Sequence, residues 1–110
     1  MVIQAGQAID LSVDQGVPFT LAVPTGDDPT DWTCHMQVRD RPGGLIFADL
    51  TVDSGLSIDV AHRRIDVALS ADQIALFPLV AVYDLMVTPP AGTATLLARG
   101  NVYLTPSVTR

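Results

Sequence analysis

Apolar and polar residues alternate with a period of two along most of the chain, and clusters of turn-forming residues interrupt the alternation. Ile9, Leu11 and Val13 alternate with Asp10, Ser12 and Asp14 before Gln15-Gly16 turns the chain, and Phe19, Leu21 and Val23 repeat the pattern. Pro24 to Asp31 consists of breakers and polar groups and is predicted as a loop. Trp32, Cys34, Met36 and Val38 then share one face of a long strand, with Thr33, His35, Gln37 and Arg39 on the other. This strand is predicted to be central. Arg41-Pro42-Gly43-Gly44 supplies a tight reversal, because proline presets φ and glycine accepts positive φ. On the returning strand Ile46, Ala48, Leu50 and Val52 alternate with Phe47, Asp49 and Thr51, so a hairpin is predicted.

Two short strands follow, Leu56 to Val60 and Ile65 to Leu69, joined by the polar corner His62-Arg63-Arg64. Ser70 with Gln73 three residues later has the form of a capping box and predicts one or two helical turns, ended by Pro78. Leu79 to Val87 and Thr95 to Leu104 form the last pair, around the turn Pro89-Pro90-Ala91-Gly92. Tyr83, Leu85 and Val87 make one face of the first of these strands, and Val80, Val82 and Met86 the other. That pattern predicts burial on both sides. About eight strands at spacings of roughly 8 to 12 residues, with one short helical turn, predict an all-β, antiparallel β-sandwich. The 110 residues suit a single domain over the whole chain, 1–110.

Composition sharpens this picture in two ways. All six cations are Arg and all twelve anions are Asp, so Lys and Glu, which favour helix surfaces, are absent, while the turn former Asp is plentiful. The net charge of -6 offers no basic face, and nucleic acid is therefore not expected as a partner. The opening MVIQAGQAID has neither a basic leader nor a sustained apolar stretch, so no secretory signal is predicted. The longest apolar run, Ile74 to Tyr83, is broken by Pro78 and is too short for a helical span of about 20 residues, and no membrane partner is expected. The single cysteine, Cys34, has no intrachain partner for a disulfide and fits synthesis in a reducing compartment.

Catalysis needs a nucleophile, a base and an orienting group, and the chain offers no such constellation; an enzyme is not expected. Cys34 lies on the Trp32-Met36 face and reads as core, while His35 points the opposite way, so the two cannot form a dyad within one strand. His62 beside Arg63 and Arg64 reads as a solvated corner, and two histidines without a cysteine pair or an HExxH spacing give no zinc motif. Asp27, Asp28 and Asp31 are the best oxygen-ligand set, weak calcium candidates against the ordinary alternative of Asp side chains capping local amides. Pro42-Gly43-Gly44 precedes no Lys-Ser or Lys-Thr and reads as a hairpin turn, not a phosphate loop. No cofactor is implied. The predicted structural core includes Trp32, Cys34, Met36, Val38, Tyr83 and Leu85, and the candidate interface residues are Phe47, Tyr103, His62 and Arg63.

From Trp32 onward the order of signals resembles a family of small bacteriophage structural proteins with an immunoglobulin-like sandwich, found with tail, baseplate and fibre genes. The segments that carry it are WTCHMQVRDRPGGLIFADLTV and IDVALSADQIALFPLVAVYDLMVTPPAGTATLLARGNVYLTPSVTR. Trp32 opens the strand that ends in Val38-Arg39-Asp40. A helical turn leads to Tyr83-Asp84, and Arg99-Gly100 lies in the closing strand. Phe77-Pro78-Leu79 departs from the pattern, since relatives commonly carry Gly there. The resemblance implies an immunoglobulin-like fold, other virion proteins as partners, many copies per particle, and location in the virion after synthesis in the host cytoplasm. It implies no active site. A head (capsid) decoration protein and a sandwich that binds carbohydrate on the host surface are the alternative expectations.

Overall fold

The computed structural model describes residues 7–90 and 92–106. The elements in chain order are β1 (Gln7–Ala8), β2 (Leu11–Asp14), β3 (Phe19–Pro24), β4 (Thr33–Arg39), β5 (Ile46–Val52), β6 (Gly55–Asp59), β7 (Arg64–Leu69), α1 (Ala71–Ala75), β8 (Val80–Thr88) and β9 (Thr95–Thr105). Pairing runs in one path, β1-β9-β8-β4-β5-β6-β7-β3, with β2 following β1 along β9. The all-β class holds, as a single curled mixed sheet. Its two halves meet at a narrow corner, where Thr51 and Val52 of β5 pair with Gly55 and Leu56 of β6. Side chains from both halves close one core.

The alternation names that core correctly. Trp32, Cys34, Met36, Val38, Tyr83 and Leu85 are all buried, and β4 lies between β5 and β8 as a central strand. The capping box also forms: Ser70 Oγ accepts from the Gln73 amide at 3.1 Å, and Gln73 Oε1 accepts from the Ser70 amide at 2.9 Å. Pro89 and Gly92 make the expected reversal between β8 and β9, the Gly92 amide donating to Pro89 O at 3.2 Å. Ala91 of that predicted turn lies outside the described residues.

Three expectations are corrected. The sheet is mixed, not antiparallel, because β1 and β2 run parallel to β9, and β5 and β6 also touch in parallel. Period-two alternation reports which face a residue occupies and carries no information about strand direction. Strand β8 is buried on one face: Val80 is exposed and Val82 and Met86 are half-buried, since that face of the sheet has no layer over it among the described residues. Ile46 and Val52, placed in sequence with Ala48 and Leu50, are exposed. At Ile46 a bulge is the cause. Val38 pairs with Ala48 but Arg39 pairs with Ile46, so Phe47 is an extra residue that breaks the alternation.

Contacts around Gly100 help hold the parallel strands onto β9. Tyr83 lies across Gly100, its cross-strand partner, and donates from its hydroxyl to Ile9 O at 2.6 Å. A Cβ on Gly100 would stand 2.2 Å from that same carbonyl, so a side chain there excludes the contact. The Asn101 amide, which a regular parallel ladder would direct to Ile9 O, donates instead to Asp10 Oδ1 at 2.9 Å. Burial pushes the Tyr83 phenol up to about 12, with Asp10 contributing in the same direction.

Candidate functional site

A curled sheet that does not close leaves strand edges, and backbone direction decides what each edge offers. Along β2, Ile9 and Gln15 donate their amides to Arg99 O and Thr105 O, so the intervening odd-numbered residues face β9 and Asp10, Ser12 and Asp14 turn their backbone groups outward. That edge is flanked by two carboxylates. At the other end of the path, the Thr25 amide donates to Arg63 O, so Val23, Leu21 and Phe19 face β7. The outward register of β3 is then Pro18, Thr20, Ala22 and Pro24, and its first and last members have no amide hydrogen.

Strand β5 differs from both. Thr51 exchanges bonds with Ser54, its amide donating to Ser54 O at 3.1 Å and its carbonyl accepting from the Ser54 amide at 2.9 Å. Thr51 therefore faces away from β4, and so does Asp49. From the hairpin end, the Asp40 amide donates to Leu45 O, which turns Ile46 outward. Since β6 reaches only Thr51 and Val52, the backbone of Ile46 to Leu50 has no strand neighbour on that side among the described residues. Leu45 and Ile46 beside it are 71% and 47% exposed, and the strand itself, IFADLTV, contains no proline. The Asp49 carboxylate is bonded by His35 Nε2 of the adjacent strand.

The four interface candidates do not form one surface. Phe47 is the half-buried bulge residue of β5. Tyr103 is 43% exposed on β9, opposite Val80, and accepts from Asn101 Nδ2 at 3.1 Å; β8 and β4 separate it from Phe47. His62 and Arg63 form the β6–β7 turn. His62 donates through its amide to Asp59 Oδ1 at 3.1 Å and its Nδ1 lies 2.8 Å from Asp59 Oδ2, while Arg63 sits at φ 51°. The His62 bonds, side chain first, hold the Asp59 carboxyl below its ordinary value. Leu45 and Ile46, which complete the β5 edge, were not legible as surface residues; the bulge that exposes Ile46 has no signature in the hydrophobic pattern.

Cys34 is buried, and desolvation pushes its thiol up to about 11, away from nucleophilic use. In the Asp loop, Asp28 Oδ1 accepts from Thr30 Oγ1 at 2.6 Å and from the Thr30 amide at 3.0 Å, which holds its carboxyl below the ordinary value. Asp27 O accepts from Thr25 Oγ1 at 2.6 Å, and Asp31 adopts φ 61°. These are local turn bonds, and among the described residues no group of three or more His, Cys, Asp or Glu side chains is gathered as a metal set. No described helix is long and apolar enough to cross a membrane.

One shallow depression of about 400 Å³ lies on the outer face of β4, β8 and β9, where Arg39, Asp84, Arg99 and Asn101 meet. Arg39 is committed to the hairpin, donating from Nη1 to Gly44 O at 2.8 Å and from Nη2 to Gln37 Oε1 at 2.8 Å. A second, of about 530 Å³, lies over β3, β7 and β6, with Arg64 Nε 3.0 Å from Asp66 Oδ1 on its wall. No family model matches the chain, and no curated protein sequence matches it.

Proposed function

We propose that the chain is a bacteriophage virion structural module, an immunoglobulin-like arrangement of its β-strands that attaches to tail, baseplate or fibre machinery through protein contacts. The observation that carries this reading is the unpaired β5 edge, whose amides and carbonyls are available to a further strand and whose flanking side chains are apolar. Protein surfaces that assemble by strand addition gain affinity from the main chain and specificity from alternate side chains.

The residues behind the family resemblance support a structural role. Trp32, Val38 and Tyr83 are core; Arg39 and Asp40 tie the β4–β5 hairpin through Gly44 O and the Leu45 amide; Gly100 accommodates the Ile9 carbonyl. None of them forms a reactive constellation. The test is immunogold labelling of purified particles from the encoding phage. Label on tail, baseplate or fibre is the expected result. Label on the head would favour capsid decoration, and particles without the protein would overturn the virion reading, leaving glycan binding by the isolated chain as the alternative to measure.

A further inference from the structure

We propose that the free edge of β5 seats a second copy of this chain, by antiparallel β5-to-β5 pairing about a two-fold axis. The inference rests on the assembly reading above and names the partner of that edge. Its basis is the bulge. A regular strand turns its backbone groups to a given side at every second residue. On β5 the outward groups that β6 leaves uncovered belong to Ile46 and Asp49, three positions apart, because Phe47 is inserted between the Arg39 and Val38 pairings. A regular partner strand falls out of step with this edge after one pair. A second β5 running antiparallel carries the same three-residue interval, so Ile46 of each copy meets Asp49 of the other and both ends bond reciprocally.

Charge selects the same edge. Each copy carries a net charge of -6, and pairing through β2 would crowd the carboxylates of Asp10 and Asp14 from both copies. On β5 the sole carboxylate, Asp49, is already bonded by His35 within its own copy and would face an apolar Ile46. Leu45 and Ile46, 71% and 47% exposed, would be covered. The β3 edge cannot substitute, since Pro18 and Pro24 remove donors from its outward register.

The experiment is sedimentation velocity with light-scattering mass on the full chain across a concentration series. The wild type is expected to rise from one to two chain masses. Ile46→Asp, which sets a second carboxylate against Asp49 of the other copy, is expected to remain at one chain mass throughout, with the wild-type thermal midpoint at dilutions where both chains are monomeric. Ile46→Pro, which keeps an apolar side chain and removes the outward amide hydrogen, is expected to do the same, with circular dichroism reporting the fold. Thr20→Asp on β3 should dimerise as the wild type does. A wild type that stays monomeric, or an Ile46→Asp chain that dimerises normally, overturns the proposal. A monomeric chain found on particles defeats the dimer alone, and a dimeric chain absent from particles defeats the virion reading alone.

Discussion

Strands β3 and β5 both present a side that no described strand covers, and both are apolar in sequence, FTLAVP against IFADLTV. Their edges are nevertheless unlike. On β3 the prolines fall at even positions, the same register as the outward backbone, so the edge loses donors at both ends. On β5 the outward groups keep their amides, and the bulge spaces them by three. Edge protection is therefore set by the parity of a few residues relative to the ladder, and hydrophobicity of the strand does not report it.

Five substitutions probe that contrast and the contacts around it, beginning with the largest effect. Leu50 is fully buried on the inner side of β5, so Leu50→Ala should cost about 2–5 kcal/mol in chemical denaturation. Leu21 at the equivalent place on β3 is half-buried, and Leu21→Ala should cost about 1 kcal/mol. Equal losses would break the picture of β5 as a core strand with an open edge and β3 as a lightly packed terminal strand.

Tyr83→Phe leaves the Ile9 carbonyl without its hydroxyl partner and should cost about 1–3 kcal/mol. The phenol titrates at 10.0 ordinarily and is pushed up to about 12 by burial. Folding thus favours the protonated form: this contribution is complete below pH 10 and is lost as pH rises toward 12. A wild-type stability curve that falls over that range, and falls less in Tyr83→Phe, is the expected pair of results.

Pro24→Ala returns an amide hydrogen to the outward register of β3. Folding stability should change by no more than about 1 kcal/mol, while light scattering at high concentration should show self-association that the wild-type β3 edge resists. The smallest effect belongs to Asp59→Asn in the β6–β7 turn. Because the His62 bonds depress the Asp59 carboxyl, its stabilisation is present above the ordinary carboxylate range and is lost as pH falls through the depressed value. Acid titration of thermal stability should be flatter in the variant, and an unchanged curve would show that the turn bonds contribute nothing.

Faces were legible from the residues, and directions were not. Trp32, Cys34, Met36 and Val38 on one side, with His35 and Gln37 on the other, follow from period two alone, and the Ser70–Gln73 box follows from capping chemistry. The parallel docking of β1 and β2 depends on contacts between the two ends of the chain, Ile9 with Tyr83 and Asp10 with Asn101, which no local pattern encodes. The candidate site was the least legible part. The residue pattern makes Phe47 a candidate interface residue, but its importance is that it is the inserted residue, which sets the spacing of Ile46 and Asp49.

Amide hydrogen exchange measured in dilute and in concentrated solution tests the edge account most directly, because it reads both strands in one sample. The outward amides of Ile46 and Asp49 on β5 should gain protection as concentration rises, while those of Thr20 and Ala22 on β3 should exchange at the same rate throughout. Protection that grows on β3, or on neither strand, would contradict it.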